Sequence, residues 1–176
     1  MNKINANYIN SIQHQFNYYK SLGDKTIDSL SEEELYWTAN AESNNIATII
    51  NHMVGNMLSR WTNFYSEDGE KEWRLRDTEF IPIQKRKETL KLHWEKGWNR
   101  LFHIINDLKE QDLQKIIKIR KEKHTVVEAI NRQLTHYAYH IGQIIYVAKI
   151  IKENQWKSLS IPKNKSVEFN KSKFKR

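Results

Sequence analysis

The chain has 176 residues, with 29 Lys and Arg against 21 Asp and Glu and a formal net charge of +8. That length fits one domain. The absence of cysteine excludes disulfides, thiolate metal sites and a cysteine nucleophile, and two prolines and five glycines argue against an all-β fold and suit long helices.

A first helix is predicted from Ile4 to Leu30. Ile4, Tyr8, Ile12, Phe16, Tyr19, Leu22 and Ile27 share one stripe, and Gly23 weakens the last turns. Ser31 and Glu34 have capping-box spacing, which predicts a short turn of helix. The second helix runs from about Asn45 to Tyr65. Ile46, Ile50, Met53, Met57, Trp61 and Phe64 step by three and four there, behind the potential N-caps Ser43, Asn44 and Asn45. Glu67 to Pro82 is a polar connection of sixteen residues. Its length predicts either a functional loop or a hidden short element.

The third helix is predicted from Ile83 to Leu108 on Ile83, Leu90, Trp94, Trp98, Leu101, Ile105 and Leu108, with Gly97 giving room for close packing. Gln111 to Lys123 is polar, alternates at Ile117 and Ile119, and reads as loop or short extended segment. The fourth helix opens at Thr125, which forms a capping-box pattern with Glu128. It continues through Val126, Ile130, Leu134, Tyr137, Ile141, Ile144, Ala148 and Ile151. Gly142 is expected to admit a neighbouring helix. Trp61, Trp73, Trp94 and Trp98 are expected to be core or groove aromatics.

The last stretch explains the charge. Lys152 to Arg176 holds eight basic and two acidic residues and carries +6, leaving +2 for the rest of the chain. Trp156, Leu159 and Ile161 are expected to pack before this end frays. These patterns give an all-α four-helix bundle over residues 1–153 and a basic, partly ordered C-terminal tail over 154–176. A solvated basic tail on a nearly neutral body disfavours nucleic acid as the partner. No stretch approaches the ~18 apolar residues of a membrane span, and Met1 to Ser11 has no signal-like apolar run. The expectation is a cytoplasmic protein with no membrane partner.

Most of the seven histidines read as isolated surface or core groups. His136 and His140 differ, because four residues on a helix place both rings on one face, roughly 40° apart. Such a pair can chelate a divalent ion at about 2.0–2.1 Å, or it can be a plain structural or surface pair. Gln143 shares the face, and the apolar stripe centres roughly 120° away, so the pair sits at the edge of the core. His52 occupies a similar edge on the second helix and can point across the bundle. Three neutral imidazoles plus water make an open, catalytic-type metal site. Asn56 and Arg60 lie one and two turns below His52. Each is readable as a ligand contact, or else as a solvated polar side chain and a surface ion pair respectively. Gln143 suits a ligand or a plain polar contact, and Glu128 reads as a cap only.

The pattern I-I-N-H-M on the second helix with H-Y-A-Y-H-I-G-Q on the fourth resembles the DinB/YfiT-like family of bacterial four-helix proteins. The stretches Gly55 to Trp61, Asp68 to Lys71, Trp73 to Asp77 and Glu128 to Leu134 look like one uncharacterised branch of it. The likeness spans about residues 1 to 165. It implies a divalent metal (Zn, Ni, Fe or Mn) held by His52, His136 and His140. Some relatives are bacillithiol S-transferases or mycothiol-dependent isomerases, and others have been labelled metal-dependent hydrolases. By that likeness the chain is expected to act on a small-molecule substrate, with the metal activating water or a low-molecular-weight thiol brought from solution. Arg60, Arg74 and Arg76 would then meet substrate carboxylates in bidentate fashion, although Arg74 and Arg76 also read as a local salt-bridge network with Asp77 and Glu79. The alternatives are a non-catalytic metal or small-ligand binding module of the same fold, and nucleic-acid binding led by charge. Aromatic-rich bundle faces are also compatible with a homodimer.

Overall fold

The computed structural model describes residues 3–81 and 86–174. Among these are six α-helices and one two-stranded sheet: α1 (Lys3–Ser29), α2 (Glu32–Leu35), α3 (Ile46–Trp61), α4 (Lys87–Asp107), β1 (Ile116–Ile119), β2 (Glu122–Thr125), α5 (Val126–Lys152) and α6 (Ser166–Lys173). No helix among the described residues is long and apolar enough to cross a membrane.

The helix starts follow from side-chain chemistry. Asn45 Oδ1 accepts the Thr48 N–H and opens α3, satisfying a donor that the first turn leaves without a backbone partner. Ser31 with Glu34 and Thr125 with Glu128 form complete capping boxes. The end of α3 comes earlier than the apolar spacing predicts. Asn63 adopts a left-handed φ of 48°, a conformation Asn tolerates better than most residues, and its carbonyl accepts the Ser66 and Glu67 N–H groups. The predicted start of the third helix at Ile83 lies outside the described residues; α4 is described from Lys87.

The four long helices share one core. α3 packs on α4 and α5, and α1 packs on α5 and α4. Phe16, Met53, Trp61, Trp94, Trp98 and Tyr137 are buried between them. Phe16 meets Trp61 edge-on at 6.5 Å, a favoured aromatic geometry. Three expectations are corrected. Ile4 is exposed, because it sits in the first turn of α1, ahead of the buried stripe that begins at Ile9. Trp73 is 57% exposed, on the connection rather than on a helix. Gly142 faces open space and admits no neighbour.

Gln111 to Lys123 resolves into a 3₁₀ turn and the start of an antiparallel hairpin with Ile119 opposite Glu122. Ile117 and Ile119 are buried and hold it to the body. Its turn residues, Arg120 and Lys121, both have positive φ (55° and 66°), a geometry that two-residue hairpins usually give to Asn-Gly. Asp68 offsets that cost: its carboxylate accepts the N–H groups of Arg120 and Lys121 at 2.8 and 2.7 Å. Gly69 N–H also donates to Lys118 O at 2.8 Å. The long connection is therefore fastened to the hairpin, and it contains the expected short element, a 3₁₀ helix at Arg76–Phe80. Near the C-terminus, Trp156 and Leu159 are partly buried against the core, whereas Ile161 is exposed because α6 beyond it is exposed throughout.

Two glycines test this packing. At Gly97 an added Cβ would lie 3.0 Å from Met57 Sδ and 3.3 Å from the Val54 backbone, so Gly97→Leu should cost about 1–3 kcal/mol by overpacking α3 against α4. Gly142→Ala should instead stabilise by roughly 0.5–1 kcal/mol, since it meets nothing and favours helix. Denaturant titration checks both. Equal effects of one sign would contradict the packing described.

Candidate metal centre and the arginine cleft beside it

His52 projects from α3 and His136 and His140 from α5. The registry between these helices is set deep in the core. Trp61 Nε1–H donates to the Tyr137 hydroxyl at 3.0 Å, and that hydroxyl donates to Asn56 Oδ1 at 2.9 Å. All three residues are buried. With Tyr137 fixed opposite Asn56, the neighbouring His136 faces His52, one turn away on α3. His52 Nε2 lies 3.3 Å from His136 Nε2, and His140 Nε2 lies 3.0 Å from it. One ring nitrogen from each residue falls within 4.8 Å of the other two. The three histidines are positioned to hold a metal ion.

The far sides of the rings settle which nitrogens face inward as acceptors. His52 Nδ1 lies 2.9 Å from Glu79 Oε2, and His140 Nδ1 lies 2.7 Å from Gln143 Oε1. An ionised carboxylate and an amide oxygen only accept, so both Nδ1 atoms carry the proton. In the neutral rings the Nε2 lone pairs of His52 and His140 then both point at His136 Nε2. A single proton on that nitrogen satisfies only one of the two contacts. A cation satisfies all three. The donor set therefore fits a divalent ion, with oriented rings of the kind that carboxylate and amide partners produce around metals.

Glu79 is the functional residue that sequence reasoning placed only in a local ion-pair network. That network exists: Arg74 donates to both Glu79 oxygens, at 2.7 and 2.9 Å, and to Glu70 at 3.3 Å. The same carboxylate also reaches His52. Burial opposes its charge, but hydrogen bonds from His52 and Arg74 outweigh this and hold its carboxyl below the usual range. Gly55 makes the approach possible, since a Cβ there would collide with the Glu79 carboxylate. Phe80 lies against the His52 ring at 4.9 Å between centroids. A glycine three residues after a helical histidine, followed by a long acidic connection, was the available signal.

Beside the histidines lies a cleft of about 220 Å³, with His52 and His136 in its wall. Asn56 and Arg60 line it too. Neither is the solvated group that its spacing on α3 allowed: both are buried, Arg60 at 3% exposure. Gln143 sits away from this cleft, where it orients His140 and donates from Nε2 to the Tyr139 hydroxyl at 2.9 Å. Arg76 stays at the surface, 3.9 Å from Asp77. Glu128 acts as a cap, with Thr125.

Comparison with known protein families matches residues 3–165 to a family described as "Protein of unknown function (DUF1572)". The chain belongs to the DUF1572 family. A search of curated proteins finds no match. In this DUF1572 member, the matched region contains all the residues of the centre and of the cleft.

Burial first, followed by electrostatic repulsion from His140, His52, Arg60 and Arg74, pushes the His136 imidazole down to about 3. Burial also lowers His140. In the unfolded chain these rings take up protons near 6.5. Between 6.5 and about pH 5 the unfolded state therefore binds more protons, and the metal-free protein loses stability as pH falls. Thermal midpoints measured across that window should drop, and His136→Asn should flatten the slope. A midpoint independent of pH there would refute the assignment.

Proposed function

We propose that this chain is a divalent-metal protein of DinB/YfiT type, its four long helices forming the bundle, and that it acts on a small-molecule substrate at the His52–His136–His140 centre. The observation that carries the reading is the convergence of three Nε2 atoms, with the Nδ1 partners of His52 and His140 turning the lone pairs of those two rings toward His136 Nε2. The likeness of the H-x₃-H-x-G-Q and I-I-N-H-M stretches to that family, some of whose members are thiol-dependent, supports the same reading. Three imidazoles suit Zn, Ni, Fe or Mn. A divalent ion there supplies Lewis acidity that activates a thiol or a water near neutral pH.

The chain's own residues would do the rest. Glu79 keeps His52 in the tautomer that offers Nε2, and Gln143 does the same for His140. Asn56, held by Tyr137, and Arg60 shape the wall of the cleft that a substrate would enter. With no cysteine in the sequence, any thiolate must arrive as a low-molecular-weight cosubstrate, which points to thiol S-transfer ahead of a reaction on a protein-bound thiol. The polar, arginine-lined cleft next to the histidines favours substrate turnover over a purely structural metal, which would be closed off by protein ligands.

Purified protein should take up one divalent ion per chain, and His136→Ala and His140→Ala should abolish uptake. Glu79→Gln should keep the stoichiometry and weaken affinity by about 10–100-fold. Metal analysis and competition with a chromophoric chelator measure these. Full occupancy in His136→Ala would end the metal reading. Metal-dependent consumption of a small thiol with an electrophilic acceptor tests the enzyme. Metal uptake without turnover across a broad thiol and ester panel would select a binding module instead.

A further inference from the structure

Five arginines line the cleft beside the histidines: Arg60 from α3, Arg74 and Arg76 from the connection, Arg120 from the hairpin turn and Arg132 from α5. No carboxylate is among the residues that line it. Two of the five hydrogen-bond to carboxylates, Arg74 to Glu79 and Glu70, and Arg120 to Glu70 at 3.3 Å, and Arg76 lies 3.9 Å from Asp77 at the surface. Arg60 is paired only loosely. Its Nε and Nη1 atoms are buried and have no hydrogen-bond partner, and Nη2 is 3.6 Å from Glu70. Gln133, 2% exposed and also in the wall, has a buried Oε1 without a partner.

A buried guanidinium with empty N–H groups is costly, and like charges gathered around it add to the cost. Burial first, with Arg74 and Arg132 contributing, pulls the Arg60 guanidinium below its ordinary value. The fold nevertheless builds this arrangement with care. Gly69 leaves the space that Arg60 occupies, since a Cβ there would be 2.9 Å from its Nη1. Arg120 is presented from a left-handed turn that costs about 1–2 kcal/mol per residue. Concentrated, incompletely paired arginine of this kind recognises oxyanions, which accept its N–H groups in bidentate fashion.

We propose that the arginine cleft binds the anionic end, carboxylate or phosphate, of a small substrate, with Arg60 as the buried anchor and Arg76 and Arg132 closing from the surface. Because His52 and His136 share the wall, the bound anion places the adjoining atoms of the molecule at the three-histidine centre. Gln133 Oε1 accepts a hydrogen bond from a hydroxyl or amide next to the anion. The anion site itself does not need a metal. Only its role in turnover rests on the function proposed above.

Calorimetric titration of metal-free protein with inorganic phosphate and, separately, with succinate tests the site and distinguishes the two sources of negative charge. Saturable 1:1 binding of at least one is expected. Arg76→Ala and Arg132→Ala, both at exposed positions, should each weaken it about tenfold, the loss of one charge-assisted contact. Arg60→Met should abolish it while leaving the denaturation midpoint unchanged or raised, because it removes an incompletely paired buried charge. Absence of saturable binding of either anion, or affinities untouched by the three substitutions, would overturn the proposal even if the protein takes up its metal. Anion binding by protein that takes up no metal would instead leave the cleft standing and remove the metal reading. Salt-sensitive binding of an oligonucleotide with no affinity for phosphate or succinate would also overturn it.

Discussion

The Glu79 carboxylate joins parts of the molecule that are far apart in sequence. It accepts from His52 on α3 and from the fork of Arg74 on the connection. The side chains of Arg74 and Glu79 are only 3% and 9% exposed, so the charge on each is tolerable only with the other in place. Removing the carboxylate would free the His52 ring to rotate or change tautomer. It would also leave a buried guanidinium next to three imidazoles. The orientation of the candidate metal nitrogen and the path of the connection around Arg74 and Glu79 thus share one ion pair. The space for it is a missing side chain, at Gly55.

A second constraint sets the distance across which the ion pair acts. The Trp61–Tyr137–Asn56 chain is buried and fully directional. It locks α3 against α5 at one registry, and a slip of one residue would carry His136 about 100° around its helix. Apolar packing alone specifies such registry weakly, whereas a buried polar chain loses hydrogen bonds with every alternative. Because Tyr137 follows His136 directly and Asn56 follows His52 by one turn, the same contacts that satisfy the core hold the two histidines face to face.

The helices and their starts were legible because they depend on local chemistry. Period-3.6 stripes and the Ser31–Glu34 and Thr125–Glu128 boxes act within a few residues of each other. The histidine triad was legible for a related reason: the i, i+4 pair needs only helix geometry, and His52 needed only that the second helix turn its edge inward. What escaped was long-range. The hairpin had no Asn-Gly to announce it, because its left-handed Arg120-Lys121 turn is stabilised by Asp68, some fifty residues earlier. Glu79 read only as a member of a local salt-bridge network because its further partners, His52 and the space over Gly55, are supplied by another element. Trp73 and Ile4 are exposed rather than core residues, since a connection and a first helical turn lie at the margin of the packed stripe.

Charge shows the same division between chain and fold. Counted along the sequence, most of the +8 belongs to the lysine-rich end, where residues 160–174 are exposed and their charge is solvated and screened. The arginines of the cleft are spread from position 60 to 132 and are diluted there by neighbouring acids, so a linear count averages them to nearly nothing. Folding removes the average. It draws Arg60, Arg74, Arg76, Arg120 and Arg132 to one small concavity, turns Glu70 and Glu79 into their supports, and excludes part of the water that would screen them. A charge in such a place interacts several-fold more strongly than one at the surface.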